Sequence, residues 1–316
     1  MNNAYKNKIV ITTGDFNGIG AEITIKALNY LNLPSEEVVI VSNPEILDFY
    51  GELNKDYEII TIPYEGEILP GQVSKEAGDF SYRSLVMACQ LEPRAIVTAP
   101  TCKEAMHLAG YKFNGQTEVL EKYLSQNGEK AEMLFISNSF DVFLITRHCA
   151  IKDIKISEDM IIEKVLRLNR FYKENKKLAL CALNPHAGED GILGNEEQDI
   201  IIPAVHKLQK LGVDITLPQP ADTLFVDAVQ SYIAGRKAPY DCYIAMYHDQ
   251  GLIPIKSIAG DNTVNTTIGL PVLRTSPSHG TAFDIAGKNV AKYSSMVAAI
   301  NTALELTQSK CHCQAV

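Results

Sequence analysis

Three of the seven histidines in this 316-residue chain share one local grammar. His148 (FLITRHC), His186 (LCALNPHAG) and His248 (CYIAMYHDQG) each stand just after an apolar, strand-like run, in a polar or glycine-containing turn. In a parallel sheet, strand ends of this kind converge on one edge, where ligands collect. Three imidazoles with an open fourth position form a catalytic type of divalent-metal site. Zinc, cobalt, manganese and magnesium are all open by this reading, since availability often decides among metals. Asp249 beside His248 and Glu189 near His186 are acceptors placed to orient the rings. His107, His206 and His312 have helical or tail contexts and receive no role. Beyond His248, the side chains of Lys256, Asn265, Arg274 and His279 fall at loop-like positions among Gly and Pro, separated by the apolar pieces 252–255 and 268–273. The cations are suited to anionic groups, Arg274 by a bidentate fork if its partner is a carboxylate or phosphate.

These residues need elements to position them. KIVITT at 8–13 is a β-branched strand, and GDFNGIGAE leads from it into a helix from Glu22 to Leu28. Gly14, Gly18 and Gly20 permit a tight turn, or a loop whose N–H groups hold an anion; the spacing is not GxGxxG. Further strands are expected at 38–42, 57–63 and 95–98, the last running into APTCK and placing Lys103 at the carboxyl edge. NGQTEVL at 114–120 is a polar loop entering a helix and exposing Thr117 and Glu118. Runs at 133–137, 141–146, 178–183 and 240–246 read as strands, and 214–217 as a short one. Helices are expected at 75–91, 155–172 with Ser157 as N-cap, 196–211 and 294–306; PQPADTLF is a Pro-marked loop. Strands and helices alternate throughout, so the fold class is α/β with a mostly parallel sheet.

A formal charge of −9 excludes the basic face that nucleic acid requires. The one basic cluster, Arg167 to Lys177, has helical spacing with Ile161, Val165 and Leu168 and reads as a solvated face. Seven scattered cysteines fit reduced thiols in a cytoplasm. No apolar run approaches the ~20 residues of a membrane span, and the first residues lack a signal-peptide core. The terminal Cys311-His312-Cys313 carries no metal site on its own.

The motifs GDxxGIGxE, TAPxxK, GxTE, NPHAGExG, PADTxF, MYHDQGLxPxK and VNxTxGLPxxRTSxxHGTAxDIAG occur here in order. Together they make the chain resemble the 4-hydroxythreonine-4-phosphate dehydrogenase family and its paralogues over nearly its full length. The resemblance implies two α/β/α lobes, isopropylmalate-dehydrogenase-like, with the active-site cleft between them: 1–125 plus 265–316, and 126–264. It implies a homodimer with shared sites and a divalent metal on His148, His186 and His248. Substrate falls on Gln116, Thr117, Lys256, Asn265 and Arg274, and the nucleotide loop supplies His279, Gly280, Thr281, Asp284 and Gly287 to NAD. Lys256 and Asp249 are the expected catalytic side chains. The implied reaction is NAD-dependent oxidation and decarboxylation of 4-phosphohydroxy-L-threonine, a phosphorylated hydroxy acid. A paralogous activity on a four-carbon sugar-acid phosphate or a cyclic diol acid is the alternative, and a three-His hydrolase is a different class. The chain departs from the family in having Gln116 where His is usual, Phe16-Asn17 in the glycine loop, and Arg147 and Cys149-Ala150 around His148.

Overall fold

Strands that read as continuous β-branched runs are the ones buried on both faces. The computed structural model describes residues 3–308. Its first strands are β1 (Ile9–Thr12), β2 (Val38–Ser42), β3 (Glu58–Thr61) and β4 (Ala95–Thr98), interleaved with α1 (Gly20–Leu31), α2 (Pro44–Tyr50) and α3 (Lys75–Gln90). Then come α4 (Lys103–Leu108) and α5 (Gln116–Leu124). Next follow β5 (Glu132–Ile136), β6 (Asp141–Leu144), α6 (Glu158–Tyr172), β7 (Leu178–Leu180), α7 (Ile202–Lys210), α8 (Ala221–Ile233), β8 (Cys242–Ala245) and α9 (His248–Ala259). Finally β9 (Val264–Ile268), β10 (Leu273–Pro277) and α10 (Ser294–Gln308) complete the chain.

The chain forms two compact units, 1–131 with 264–316, and 132–263. In the first, the strand order is β3-β2-β1-β4-β10-β9. All neighbours there are parallel except β9, which runs antiparallel to β10. The register sets Arg274 of β10 opposite Thr267 of β9 and Ile96 of β4. Its core packs Phe16 edge-on against Phe80 at 5.6 Å, together with Val10, Val39, Ile96 and Leu85. In the second unit the order is β5-β6-β8-β7, with β5 antiparallel to β6 and the others parallel. Tyr243 is fully buried there between Phe140 and Phe225. No helix among the described residues is long and apolar enough to cross a membrane.

Several local expectations are corrected. Lys256 lies within α9, and Asn265 and Arg274 lie within strands, not on loops. The Gly and Pro around Lys256 make its position read as loop-like. Gly251 instead lets α9 press on the sheet, since a Cβ there would sit 2.6 Å from Val142 Cγ1 and 2.8 Å from Ala245 Cβ. Residues 221–225 open α8 instead of continuing a loop, because Pro220 stands at its N-cap and leaves the following N–H groups free to turn. The strand expected at 214–217 reduces to a bridge between Ile215 and Leu178. The helix expected at 196–211 is divided, beginning with a π-helical turn at Glu197–Ile201 before α7. Residues 311–313 lie outside the described part.

Candidate active site

In the first unit, β10 carries Arg274 into a buried position between β4 and β9, 3 % exposed. Its Nε and Nη2 donate to Thr98 Oγ1 at 2.9 and 2.7 Å, Nη1 to Thr267 Oγ1 at 3.4 Å, and Nη2 to Gln116 Oε1 at 3.1 Å. Thr267 is the cross-strand neighbour and Thr98 the same-face diagonal one, so the cage follows from strand register. Every one of these partners is neutral. Burial pushes the guanidinium down to about 9, so the charge persists at neutral pH while lacking a counter-anion among the described residues. A buried cation held this way is an anion subsite in waiting.

Gln116 opens α5, and its amide is fixed at both ends: Oε1 accepts from Arg274 and Nε2 donates to Ala99 O at 3.1 Å. Thr117 follows in the same turn, half-buried, and Glu118 caps Asn114 N at 2.7 Å. Asn265, on β9, keeps its buried Oδ1 without a hydrogen-bond partner among the described residues. Lys103 is the first residue of α4.

The segment 279–291 belongs to the same unit and is held on two sides. The glycine loop gives its own N–H groups to protein: Asp15 N to Pro100 O, Asn17 N to Asp15 Oδ1, Gly18 N to Asp15 O and Ile19 N to Thr281 O. The anion-holding alternative for this loop is thereby set aside in favour of a tight turn that supports Thr281. A Cβ at Gly18 would lie 3.0 Å from Thr281, and one at Gly287 2.7 Å from Pro70. Asn17 accepts from Leu69 N and donates to Gln72 O, bracing the second side. Glu22 accepts from Ala291 N at 2.9 Å, and Lys26 Nζ reaches Asn289 O and Ala291 O. His279 is set by Ser295 Oγ at 2.7 Å and by Gly280 O. Asp284 is exposed and its carbonyl receives Lys288 Nζ.

In the second unit, His148 and His248 come together at the carboxyl ends of β6 and β8, with ring centroids 5.3 Å apart. His248 Nδ1 bonds Asp249 Oδ1 at 2.7 Å, a contact that orients the ring and suits Nε2 to the lone-pair role of a ligand. Gln250, quoted in the sequence only as part of YHDQG, ties the strand ends: Oε1 accepts from Met246 N and Nε2 donates to Ala182 O, both at 2.7 Å. Lys256 sits two turns along α9; its side chain as a whole is exposed, yet partial desolvation holds its ammonium below the ordinary lysine value. His186 stands apart, 63 % exposed, with Nδ1 on Glu189, whose carboxylate raises its pKa. Among the described residues no three His, Cys, Asp or Glu side chains gather in a metal-binding group. The structure thus brings His148 and His248 together, with no third such ligand grouped with them among the described residues.

Comparison with known proteins adds the family dimension. The family model of the pyridoxal phosphate biosynthetic protein PdxA matches residues 7–303. The 4-hydroxythreonine-4-phosphate dehydrogenase of Sulfurihydrogenibium sp. (strain YO3AOP1) is 37 % identical, covering 95 % of this chain and 98 % of the relative. A protein of Oceanobacillus iheyensis named "Putative D-threonate 4-phosphate dehydrogenase" is 36 % identical, covering 96 % and 98 %. A crystal structure of 4-hydroxythreonine-4-phosphate dehydrogenase from Klebsiella pneumoniae superposes with a TM-score of 0.81 at 33 % identity, covering 96 % of this chain and all of that one.

Proposed function

This chain belongs to the PdxA family of pyridoxal phosphate biosynthetic proteins and is a dehydrogenase, and on that premise we propose that it oxidises and decarboxylates 4-phosphohydroxy-L-threonine to 3-amino-2-oxopropyl phosphate. The observation that carries this reading is Arg274, a buried cation caged by hydroxyls and an amide and lacking a counter-anion among the described residues. We assign the substrate's anionic end to Arg274, Gln116 and Thr117, and a hydroxyl or ammonium donor of the substrate to the unpartnered Oδ1 of Asn265.

His148 and His248 fit a divalent metal: they are close, and Asp249 leaves the His248 Nε2 lone pair outward. Because His186 is exposed and no three potential ligands gather among the described residues, we assign the third ligand to His186 of the partner subunit in a homodimer. When bound, the metal would polarise the substrate's hydroxyl oxygen and NAD would accept hydride. Around them the protein's own groups act. Asp249 holds the Nδ1 proton of His248 and fixes the ring. Lys256 Nζ, holding its proton less tightly than an ordinary lysine, is assigned to proton delivery and to neutralising the substrate's carboxylate. The clamped residues His279, Gly280, Thr281, Asp284 and Gly287 are assigned to NAD, presented by the braced 279–291 segment. Free Cys89, Cys102, Cys149, Cys181 and Cys242 support a reducing, cytoplasmic setting.

NADH formation from 4-phosphohydroxy-L-threonine, with and without a chelator, tests the reading. Chelator-sensitive turnover is expected; absent turnover in protein that binds metal and NAD would remove the substrate assignment. A second reading, D-threonate 4-phosphate as substrate, is supported by the Oceanobacillus relative and by Gln116, a neutral amide already engaged by Arg274. Faster turnover of that substrate in the same assay would favour it.

A further inference from the structure

The segment that carries His186 has a backbone that an L-residue chain rarely adopts. His186, Ala187, Gly188, Glu189 and Asp190 have φ of 53, 54, 82, 43 and 54°, with ψ between −4 and 57°. Left-handed conformation is ordinarily visited by single residues and costs roughly 1–2 kcal/mol for each L-residue. Four of these five positions are not glycine. Such a turn persists only where its surroundings over-determine it.

The surroundings here converge on one carboxylate. Glu197 is 1 % exposed and stands at the start of the π-helical turn 197–201. Its Oε1 accepts from Leu183 N and Asn184 N, both at 2.8 Å, and its Oε2 accepts from Asn184 Nδ2 at 2.9 Å. That fixes the two residues that leave β7 for His186. From the other side, Gly188 packs so closely that a Cβ there would lie 2.8 Å from Glu197 Oε2 and 2.9 Å from Gly194 O. Leu193 N closes the turn by donating to Gly188 O at 3.0 Å.

We propose that Glu197 is a positioning residue for His186, holding the left-handed turn 186–190 so that the imidazole is presented as a ligand from a rigid, exposed tip. The inference rests on the assignment of His186 to the metal. Glu197 touches neither metal nor substrate; it acts through Leu183, Asn184 and Gly188.

The test is Co2+ binding to the full-length protein, by calorimetry and by the visible bands of the bound ion, in a cycle of His186→Ala, Glu197→Ala and the double variant. Glu197→Ala should weaken Co2+ binding roughly 10–100-fold, as loss of an outer ligand-orienting group does. In the His186→Ala background the same change should add less than about twofold, because the two residues act as one unit. Glu197→Gln, which keeps the Oε1 acceptor, should recover most of the affinity. A role confined to stability would lower the melting temperature and leave the cycle additive. Should Glu197→Ala fail to fold by circular dichroism, Gly188→Ala disturbs the same contact from the opposite side with the same expectation. An additive cycle, or an unchanged Co2+ affinity in Glu197→Ala beside a weakened one in His186→Ala, overturns the inference. Unchanged binding in His186→Ala overturns instead the metal assignment on which it rests.

Discussion

Arg274 concentrates the chemistry of the first unit in one guanidinium, and its environment makes sharp demands on substitution. Arg274→Ala removes charge-assisted hydrogen bonds worth about 1.5–3 kcal/mol each. It should lower kcat/KM roughly a hundredfold or more, measured with either phosphorylated hydroxy acid. Arg274→Lys should restore little, since an ammonium cannot span Thr98, Thr267 and Gln116 together. A second, half-buried group is expected to make folding pH-sensitive. Asp141 accepts from Tyr172 Oη at 2.6 Å, and burial raises its pKa from 3.8 to about 7. The folded state therefore binds that proton more tightly than the unfolded chain does. Its stabilising effect is whole below pH ~4 and fades as pH rises through 7. Asp141→Asn should accordingly match the wild type at pH 4 and exceed it by about 2–4 kcal/mol at pH 8, as read from urea denaturation at both values.

At the scale of elements, α9 matters most, because it starts on His248 and carries Lys256. Its approach to β6 and β8 depends on Gly251. Gly251→Ala places a methyl 2.6 Å from Val142 Cγ1, so the helix must move outward. Destabilisation of about 1–3 kcal/mol is expected from such overpacking, with weakened Co2+ binding as His248 moves away from His148. The same element shows what the sequence hides. Strand runs such as VVIVS and AIVT were legible because burial on both faces leaves an unbroken apolar signal. Gly251 and Pro254 were not, since a glycine that ends a helix and one that admits a helix to a sheet look alike in one dimension. The place of Arg274 inside β10 was not legible: charge argues for exposure, and only pairing with β4 and β9 supplies the hydroxyls that make burial tolerable. His148 and His248 follow strands and their rings lie 5.3 Å apart, as strand-end positions suggest. Nothing in NPHAGE announces that the chain turns left-handed there.

At the scale of the whole molecule, the two units differ in how the chain builds them. Residues 132–263 form one continuous stretch with their own core around Tyr243, Phe140 and Phe225. Expressed alone, that stretch should fold with a cooperative melt, whereas residues 1–131 alone should not, as β4 then lacks β10; circular dichroism melts of the two fragments decide this. The pairing of β10 with β4 also has a consequence in time. During synthesis β4 emerges early, and its partner follows only after residues 99–272 have been added. At the ordinary pace of translation that interval is about 10–35 s, during which β4, three of whose four residues are apolar, stands as the open edge of a half-built sheet. The nascent chain is expected to engage chaperones over that interval, so the speed at which ribosomes cross the second unit should bear on how much folded enzyme a cell obtains.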